Sequence, residues 1–305
     1  MIIFEKIKKA FFNPRLLLVH ICQYWPFRYI SDKNYLKLFY HAHLGKKLNL
    51  ESPVTFNEKL QWLKLYDRKK EYGIMSDKYL VREYIKKAIG EEYLIPLFGV
   101  WDDANKIDFD KLPEQFVLKC NHDSGSVFIC TDKKNFNKEK VVKKLNKALK
   151  RQYFWTSREW NYKIIEPKVI AEKYMIDNSG EDLKDYKFYC FNGLPKFIAV
   201  HSGRFTNHIR NFYTLDWEFI PVQGGCPNNP LADIERPAQL EKMIELAKKL
   251  SENLYHVRVD FYISNNQVYF GELTFHSAGG AAKYEPFSYD ELWGSYMKLP
   301  ISNTK

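Results

Sequence analysis

The order of predicted elements describes an α+β protein, and three observations predict it. Apolar residues recur at helical spacing up to about Asp67, the runs become short and β-prone from Tyr93 onward, and helices interrupt the strands only singly. Regular strand-helix alternation, the mark of a doubly wound sheet, is absent. The 305 residues suffice for one large or two modest domains with a buried core.

Taken in order, the N-terminal stretch to about residue 75 reads as helical. Thr55 to Glu58 forms a capping box, in which the Thr55 hydroxyl accepts from the Glu58 amide and the Glu58 carboxylate returns to Thr55; a helix therefore starts there and ends near Tyr66. A second helix is expected after Ser76, with Tyr79, Leu80, Tyr84 and Ile85 on one stripe, Lys78 in its first turn and Gly90 as its stop. Strands follow at Leu94 to Trp101, Gln115 to Cys120 and Ser126 to Thr131, the last two separated by the tight loop Asn121 to Gly125. A Lys-rich helix over about Lys138 to Arg151 turns its charges to solvent. Beyond it come strands Lys168 to Met175, Asp185 to Phe191, Lys196 to His201 and about Arg210 to Leu215. A helix over about Ala238 to Leu254 precedes a final strand pair, His256 to Ile263 and Gln267 to Phe275.

Forty-seven Lys and Arg against 37 Asp and Glu leave a net charge of +10, and 45% hydrophobic with 16% aromatic content excludes a disordered or collagen-like chain. The charge favours an anionic partner. The basic residues are dispersed and no nucleic-acid reader motif is present, so nucleic acid is not expected. Five spread cysteines without a C-x-x-C pair read as free thiols of a reducing compartment. The apolar run Leu16 to Trp25 is too short to span a bilayer and lacks a signal cleavage site, so a cytoplasmic location is expected. Residues Met1 to Arg28 mix Lys6, Lys8, Lys9, Arg15 and Arg28 with Ile2, Ile3, Phe4, Phe11, Phe12 and Trp25. That composition suits peripheral contact with an anionic membrane at the inner face of the plasma membrane; packing of the aromatics onto the protein body is the favoured alternative.

The richest chemistry lies in the last strand pair. Alternation places Arg258 and Asp260 on one strand face with Val257, Val259 and Phe261 on the other, and Glu272 follows across the hairpin. Two carboxylates on adjacent strands suit Mg²⁺, which takes one or two carboxylates plus substrate phosphates, and Arg258 beside them suits a phosphoryl group. An exposed salt-bridge set is the simpler reading of these three residues alone. Lys119 ends the strand Phe116 to Cys120 beside the small-residue loop holding Ser124, Gly125 and Ser126, an arrangement in which an ammonium and loop amides meet phosphate oxygens. Lys78 is a second such lysine. The strand Val169 to Met175 carries Glu172, Lys173 and Met175 at its end, where backbone and carboxylate can read an adenine amino group.

In this order, from about Ser76 to the end of the hairpin, these segments resemble the ATP-grasp superfamily, most closely its TupA-like branch, associated with teichuronopeptide and other cell-surface polysaccharide biosynthesis. The resemblance implies two α+β subdomains enclosing a nucleotide, residues 76–165 and 166–305, preceded by the helical segment 1–75. It implies that Lys78 and Lys119 bind ATP, that Asn121 to Ser126 form a phosphate loop, that Glu172, Lys173 and Met175 hold adenine, and that Lys187 faces phosphate. Asp260 and Glu272 match magnesium carboxylates, with Arg258 two residues before the first. Thr274 stands where the superfamily often has a metal-ligating Asn. The loop departs from the pattern in having only Gly125 and in carrying Asp123, which is expected to point outward or cap His122. The helical segment 1–75 replaces the usual preceding α/β domain, so acceptor recognition is assigned to the stretch Arg204 to Arg210, with His276 and the Gly279-Gly280 turn.

The implied reaction is ligation of a carboxylate to an amine through an acyl phosphate, with ATP and Mg²⁺ as cofactors and one substrate linked to a surface or capsular glycan. Arg258, Lys187, Arg204 and Arg210 would act on the reacting groups. A nucleotide-sugar-dependent transferase and a non-catalytic basic membrane- or nucleic-acid-binding module are the alternatives. Parity adds a geometric demand: a two-residue Asn265-Asn266 turn would place Asp260 and Glu272 on opposite faces. Sharing a metal requires an odd loop, for which three residues are expected, or a one-residue bulge.

Overall fold

The computed structural model describes residues 13–176, 183–203, 207–232 and 234–301. Arg204, and Met1 to Phe12 of the basic aromatic segment, lie outside the described residues. Helices α1 (Pro14–Ile21), α2 (Asp32–Leu44), α3 (Phe56–Tyr66) and α4 (Lys70–Ser76) come first. The capping box of α3 is present in both directions, Glu58 N to Thr55 Oγ1 at 3.2 Å and Thr55 N to Glu58 Oε2 at 3.1 Å. Helix α4 falls within the stretch expected to be helical, though its own bounds were not; Gly73 lets it pack closely, since a Cβ there would lie 2.4 Å from Ile164 Cδ1. The next helix, α5 (Val81–Ala88), starts later than Ser76. Asp77 Oδ1 accepts from the amides of Tyr79 (2.8 Å) and Leu80 (3.2 Å), and this side-chain turn holds Lys78 ahead of the helix rather than within it.

Strands β1 (Leu97–Trp101), β2 (Phe116–Cys120), β3 (Val127–Cys130) and β4 (Val169–Lys173) form an antiparallel sheet in the order β1-β4-β2-β3. Alternation on β2 sends Phe116 and Leu118 into a core with Leu145 of α6 (Lys138–Leu149) and leaves Val117 and Lys119 on the other face. β4 completes this sheet, although the boundary at 165/166 places it in the second subdomain.

The larger sheet has the order β10-β9-β5-β6-β7-β8, from β5 (Asp185–Phe191), β6 (Leu194–Ser202), β7 (Ile209–Tyr213), β8 (Phe219–Ile220), β9 (His256–Ser264) and β10 (Gln267–Thr274). Its back, with Phe188, Val259 and Phe261, packs against Ile85 of α5 and Leu246 of the helix Leu240–Leu250. Part of its front, Tyr189, Phe197 and Phe212, is covered by Phe56 of α3 and Trp293 of the C-terminal helix Ser288–Ser295. The rest faces the smaller sheet across a groove.

The final hairpin answers the parity question by its second route. The turn has two residues, Asn265 and Asn266, both at positive φ (51° and 63°), and Ser264 pairs with Gln267. The register then shifts: Phe261 pairs with Phe270 but Asp260 pairs with Glu272, leaving Gly271 as the extra residue. The three-residue loop is therefore not used, because two adjacent asparagines already supply the left-handed turn. A second correction concerns the N-terminal aromatics. Tyr24, Trp25, Phe27 and Tyr29 are exposed, because the small core beneath is filled by Tyr35, Leu36, Phe39 and Tyr40 of α2 and receives only Val19 as a fully buried residue of α1.

Candidate active site

Between the two sheets lies a groove of about 560 Å³, within the size range of small-molecule sites. Its apolar end is lined by Ile95, Val117, Val127, Ile129, Met175 and Ile176, its polar end by Lys78, Lys119, Lys187, Arg258, Glu172 and Glu272. The smaller sheet contributes Lys119 and Glu172, which share a face because Val117 pairs with Glu172 and Lys119 with Ile170. Lys119 Nζ sits 2.6 Å from Glu172 Oε2, and Arg82 Nη1 3.6 Å from Glu172 Oε1. The Glu172 carboxylate, expected to face adenine, is held here between two cations, because a buried carboxylate takes the nearest positive partners. Lys173 and Met175 line the groove just beyond it.

The loop after β2 is built on Asn121, whose amide nitrogen donates to Asp77 Oδ2 and the Glu166 carbonyl, both at 2.9 Å, while its Oδ1 accepts from the Lys168 amide at 2.7 Å. This buried tie fixes where the loop leaves the sheet. Lys78 Nζ donates to the Asp123 carbonyl at 2.7 Å. Asp123 neither points outward nor caps His122: it is buried, accepts from Ser126 Oγ at 2.5 Å and faces Arg151 Nη2 at 3.7 Å. Turned inward, the Asp123 carboxylate is partly neutralised by Arg151, and it draws Ser126 away from the groove. Ser124 and Gly125 remain on the groove wall, Gly125 at φ 107° with open space around it.

The larger sheet supplies the acidic end. Arg258 Nε and Nη2 each lie 2.7 Å from Asp260, one on each carboxylate oxygen, and Nη2 also reaches Glu272 Oε1 at 2.9 Å. Lys187, opposite Asp260 on β5, donates to Asp260 Oδ2 and stands 3.8 Å from Asp185 Oδ2. Thr274 lies opposite Arg258, its hydroxyl 3.3 Å from Glu272 Oε1. Burial pushes the Glu272 carboxyl upward, but Arg258, then Lys78, Lys187 and Lys119, outweigh it and hold the group down to about 2. Burial disfavours the Arg258 cation, yet Asp260 and Glu272 raise its pKa well above the ordinary value. The Lys78 ammonium is pulled down by burial, offset in part by Glu272.

The groove thus gathers Lys78, Lys119, Ser124, Gly125, Glu172, Lys173, Met175, Lys187, Arg258 and Glu272, with Asp260 buried directly beneath. Two opposed carboxylates with a neighbouring hydroxyl form a hard-oxygen set that fits Mg²⁺ sharing its remaining positions with phosphates. Among the described residues no cluster of three or more His, Cys, Asp or Glu is arranged to hold a metal by itself. Arg210 does not reach the groove lining: it stands in the cross-strand row Tyr262, Asp185, His201, Arg210, with its guanidinium over Phe212 at 5.6 Å. His276 is buried 3.6 Å from Glu159, and the turn after it, at positive φ from Ala278 to Gly280, is gripped by Gln61 and Lys64 of α3.

The model of the family described as TupA-like ATPgrasp matches residues 58–298, most of the chain. The chain belongs to this family. This TupA-like ATP-grasp protein has an α+β fold with an N-terminal helical segment. Among solved structures it is similar to a D-alanine-D-alanine ligase from Bacillus anthracis complexed with ATP (20% identity, TM-score 0.40, 67% of this chain and 55% of that one). It is also similar to a D-alanine-D-alanine ligase from Helicobacter pylori (15%, 0.40, 79% and 69%) and to a RimK domain ATP-grasp protein from Sphaerobacter thermophilus DSM 20745 (12%, 0.39, 73% and 67%). The chain spans little more than half the length of the first of these. No curated protein matches it.

Sequence reasoning missed, among others, the groove residues Asp185 and Ile95 of the TupA-like protein, and Arg82, which holds the groove residue Glu172. Asp185 was legible, since it shares strand parity with Lys187. Arg82 and Ile95 carried no local signal: they come from a helix and a loop, and only the tertiary fold brings Arg82 to Glu172 and to the Ile95 carbonyl at 2.9 Å.

Proposed function

We propose that the protein is an ATP-dependent carboxylate-amine ligase working through an acyl phosphate, on a surface or capsular glycan or its precursor. The observation that carries this reading is the convergence of Lys78, Lys119, Lys187 and Arg258 on one groove floored by Asp260 and Glu272. Lys119 and Lys78, with the Ser124-Gly125 backbone, position the triphosphate, while Lys173, Met175 and the apolar wall take the base. Mg²⁺ bound by Asp260 and Glu272, with Thr274 as a neutral oxygen nearby, would neutralise charge on the terminal phosphates. Arg258 and Lys187 face the phosphoryl group as it passes to the substrate carboxylate. ADP leaves, the amine attacks the acyl carbon, and phosphate departs as the amine gives up a proton. Acceptor recognition is assigned to the stretch from Arg204 to Arg210, since His276 and the Gly279-Gly280 turn are taken up by Glu159, Gln61 and Lys64. With ATP as substrate, a cytoplasmic location follows.

ADP formation from Mg²⁺-ATP, measured against pooled amino acids, uronic acids and nucleotide sugars, tests the proposal. ADP and phosphate released only when a carboxylate and an amine are both present support it. Turnover of a nucleotide sugar without ADP would replace it with the transferase reading.

A further inference from the structure

The N-terminal face carries a second feature, separate from the groove. Between Leu17 and Ile30 most large apolar side chains point to solvent: Leu18 is 49% exposed, Tyr24 58%, Trp25 73%, Phe27 59% and Tyr29 64%. Elsewhere among the described residues exposed aromatics are isolated, as at Tyr66, Phe98 and Phe287. The cluster is rigidly mounted. The Arg28 carbonyl accepts from Arg158 Nη2 at 2.8 Å, and the Arg28 guanidinium stacks over Trp155 at 5.3 Å and Tyr29 at 5.1 Å.

Charge identifies what covers it. Residues 1–37 hold seven Lys and Arg against two acids, Glu5 and Asp32, a net +5 out of the whole chain's +10. Asp32 is spent on Arg68 at 2.7 Å and Arg158 at 3.4 Å. Arg15, Lys33 and Lys37 stay exposed around the aromatics. A rim of Lys and Arg whose one acid among the described residues, Asp32, is already paired, enclosing Trp, Tyr, Phe and Leu, matches the interfacial layer of an anionic bilayer: rings enter at headgroup depth and cations meet phosphates. No helix of the described residues is long and apolar enough to cross a membrane, so the contact is peripheral.

We propose that this face docks the protein on anionic membrane surfaces, with Trp25, Phe27 and Leu18 as inserted anchors and Arg15, Lys33 and Lys37 as the electrostatic rim. The proposal is independent of the ligase chemistry. It is tested by sedimenting the full chain with vesicles of phosphatidylcholine alone and of phosphatidylcholine with about one third phosphatidylglycerol. Binding to the anionic vesicles, weakened by salt, is expected. Trp25→Ser with Phe27→Ser should lower partitioning roughly tenfold or more, and each rim charge removed by Lys33→Gln or Lys37→Gln about fivefold. These variants should keep the wild-type ATP-induced rise in melting temperature, which separates loss of docking from loss of fold. Equal binding to both vesicle types, or full binding by the Trp25/Phe27 variant with loss only on deletion of residues 1–12, would overturn the proposal. So would a concentration-dependent dimer abolished by the same variant, with no vesicle binding.

Discussion

Replacing Asp260 with Asn separates a metal-holding carboxylate from one that merely closes a salt bridge. Asp260 is 1% exposed; its two carboxylate oxygens accept from Arg258 Nε and Nη2, each at 2.7 Å, and Oδ2 also accepts from the Lys187 ammonium. Breaking a buried pair costs about 3 to 5 kcal/mol when the partner is stranded. Here the partners are not fully stranded, since Arg258 keeps Glu272 at 2.9 Å and Lys187 keeps Asp185 at 3.8 Å. A loss of about 2 kcal/mol, read as a melting shift of several degrees, is the expected cost without nucleotide. The decisive readout is nucleotide affinity by calorimetry, with Mg²⁺ and with chelator. Removing one anion and freeing two cations should let the variant bind metal-free ATP at least as tightly as wild type. Its affinity should no longer improve with Mg²⁺, and ADP formation should fall by about a hundredfold or more. Equal loss of ATP binding with and without Mg²⁺, or retained Mg²⁺-dependent turnover, would refute the assignment of Asp260 to the metal.

Three further outcomes are expected. Lys119→Ala should raise the ATP dissociation constant about ten- to a hundredfold by calorimetry, with Glu172 still held by Arg82; unchanged affinity would remove Lys119 from the nucleotide site. Gly271→Ala places a Cβ 2.8 Å from Tyr262 Cε2 and 3.1 Å from the Asp260 carbonyl, so stability should fall by about 1 to 2 kcal/mol and turnover about tenfold, with ATP affinity kept; unaltered turnover would show that the bulge does not set carboxylate geometry. Burial lowers the Lys64 ammonium from 10.5 to about 8. The unfolded chain therefore binds the extra proton between those values, and denaturant stability should rise by about 1 to 2 kcal/mol from pH 8 to pH 9.5, a rise that Lys64→Met abolishes.

The parts of this fold that were legible in the sequence are those fixed by local chemistry. The Thr55 capping box, the strand parity that pairs Arg258 with Asp260, and the glycine-ended helix at Gly90 each depend on residues within a few positions of one another. The parity argument reached further, because it stated that Asp260 and Glu272 share a face only with an odd loop or a bulge. Which of the two applies depended on Gly271, whose missing side chain lets Tyr262 and the Asp260 carbonyl close in. The bounds of helix α4, the burial of Asp123 and the exposure of Trp25 lay beyond that reach. Each is decided by distant partners: Ile164 beside Gly73, Ser126 and Arg151 around Asp123, and a core already filled by α2.

The same dependence explains why the Arg258, Asp260 and Glu272 set first read as a plain salt bridge. Without nucleotide the site satisfies its own charges: Arg258 and Lys187 on Asp260, Lys119 and Arg82 on Glu172. A network serving only stability would stop there, since each added buried charge costs desolvation. Lys78 does not fit such a network. Its ammonium, depressed by burial, donates to a carbonyl, that of Asp123, within a loop whose Gly125 is open to the groove. A buried cation whose hydrogen-bond partner is a neutral oxygen gains from an added anion, and under the proposed function that anion would enter along the groove that Lys119 and Ser124 also line. Under the proposed function, phosphate oxygens would compete with the carboxylates for Lys119, Lys187 and Arg258, freeing oxygens of Asp260 and Glu272 to face the phosphates. The ion pairs of the structure and the proposed metal site would then be two states of the same residues, with Lys78 as the residue that distinguishes this arrangement from a static one.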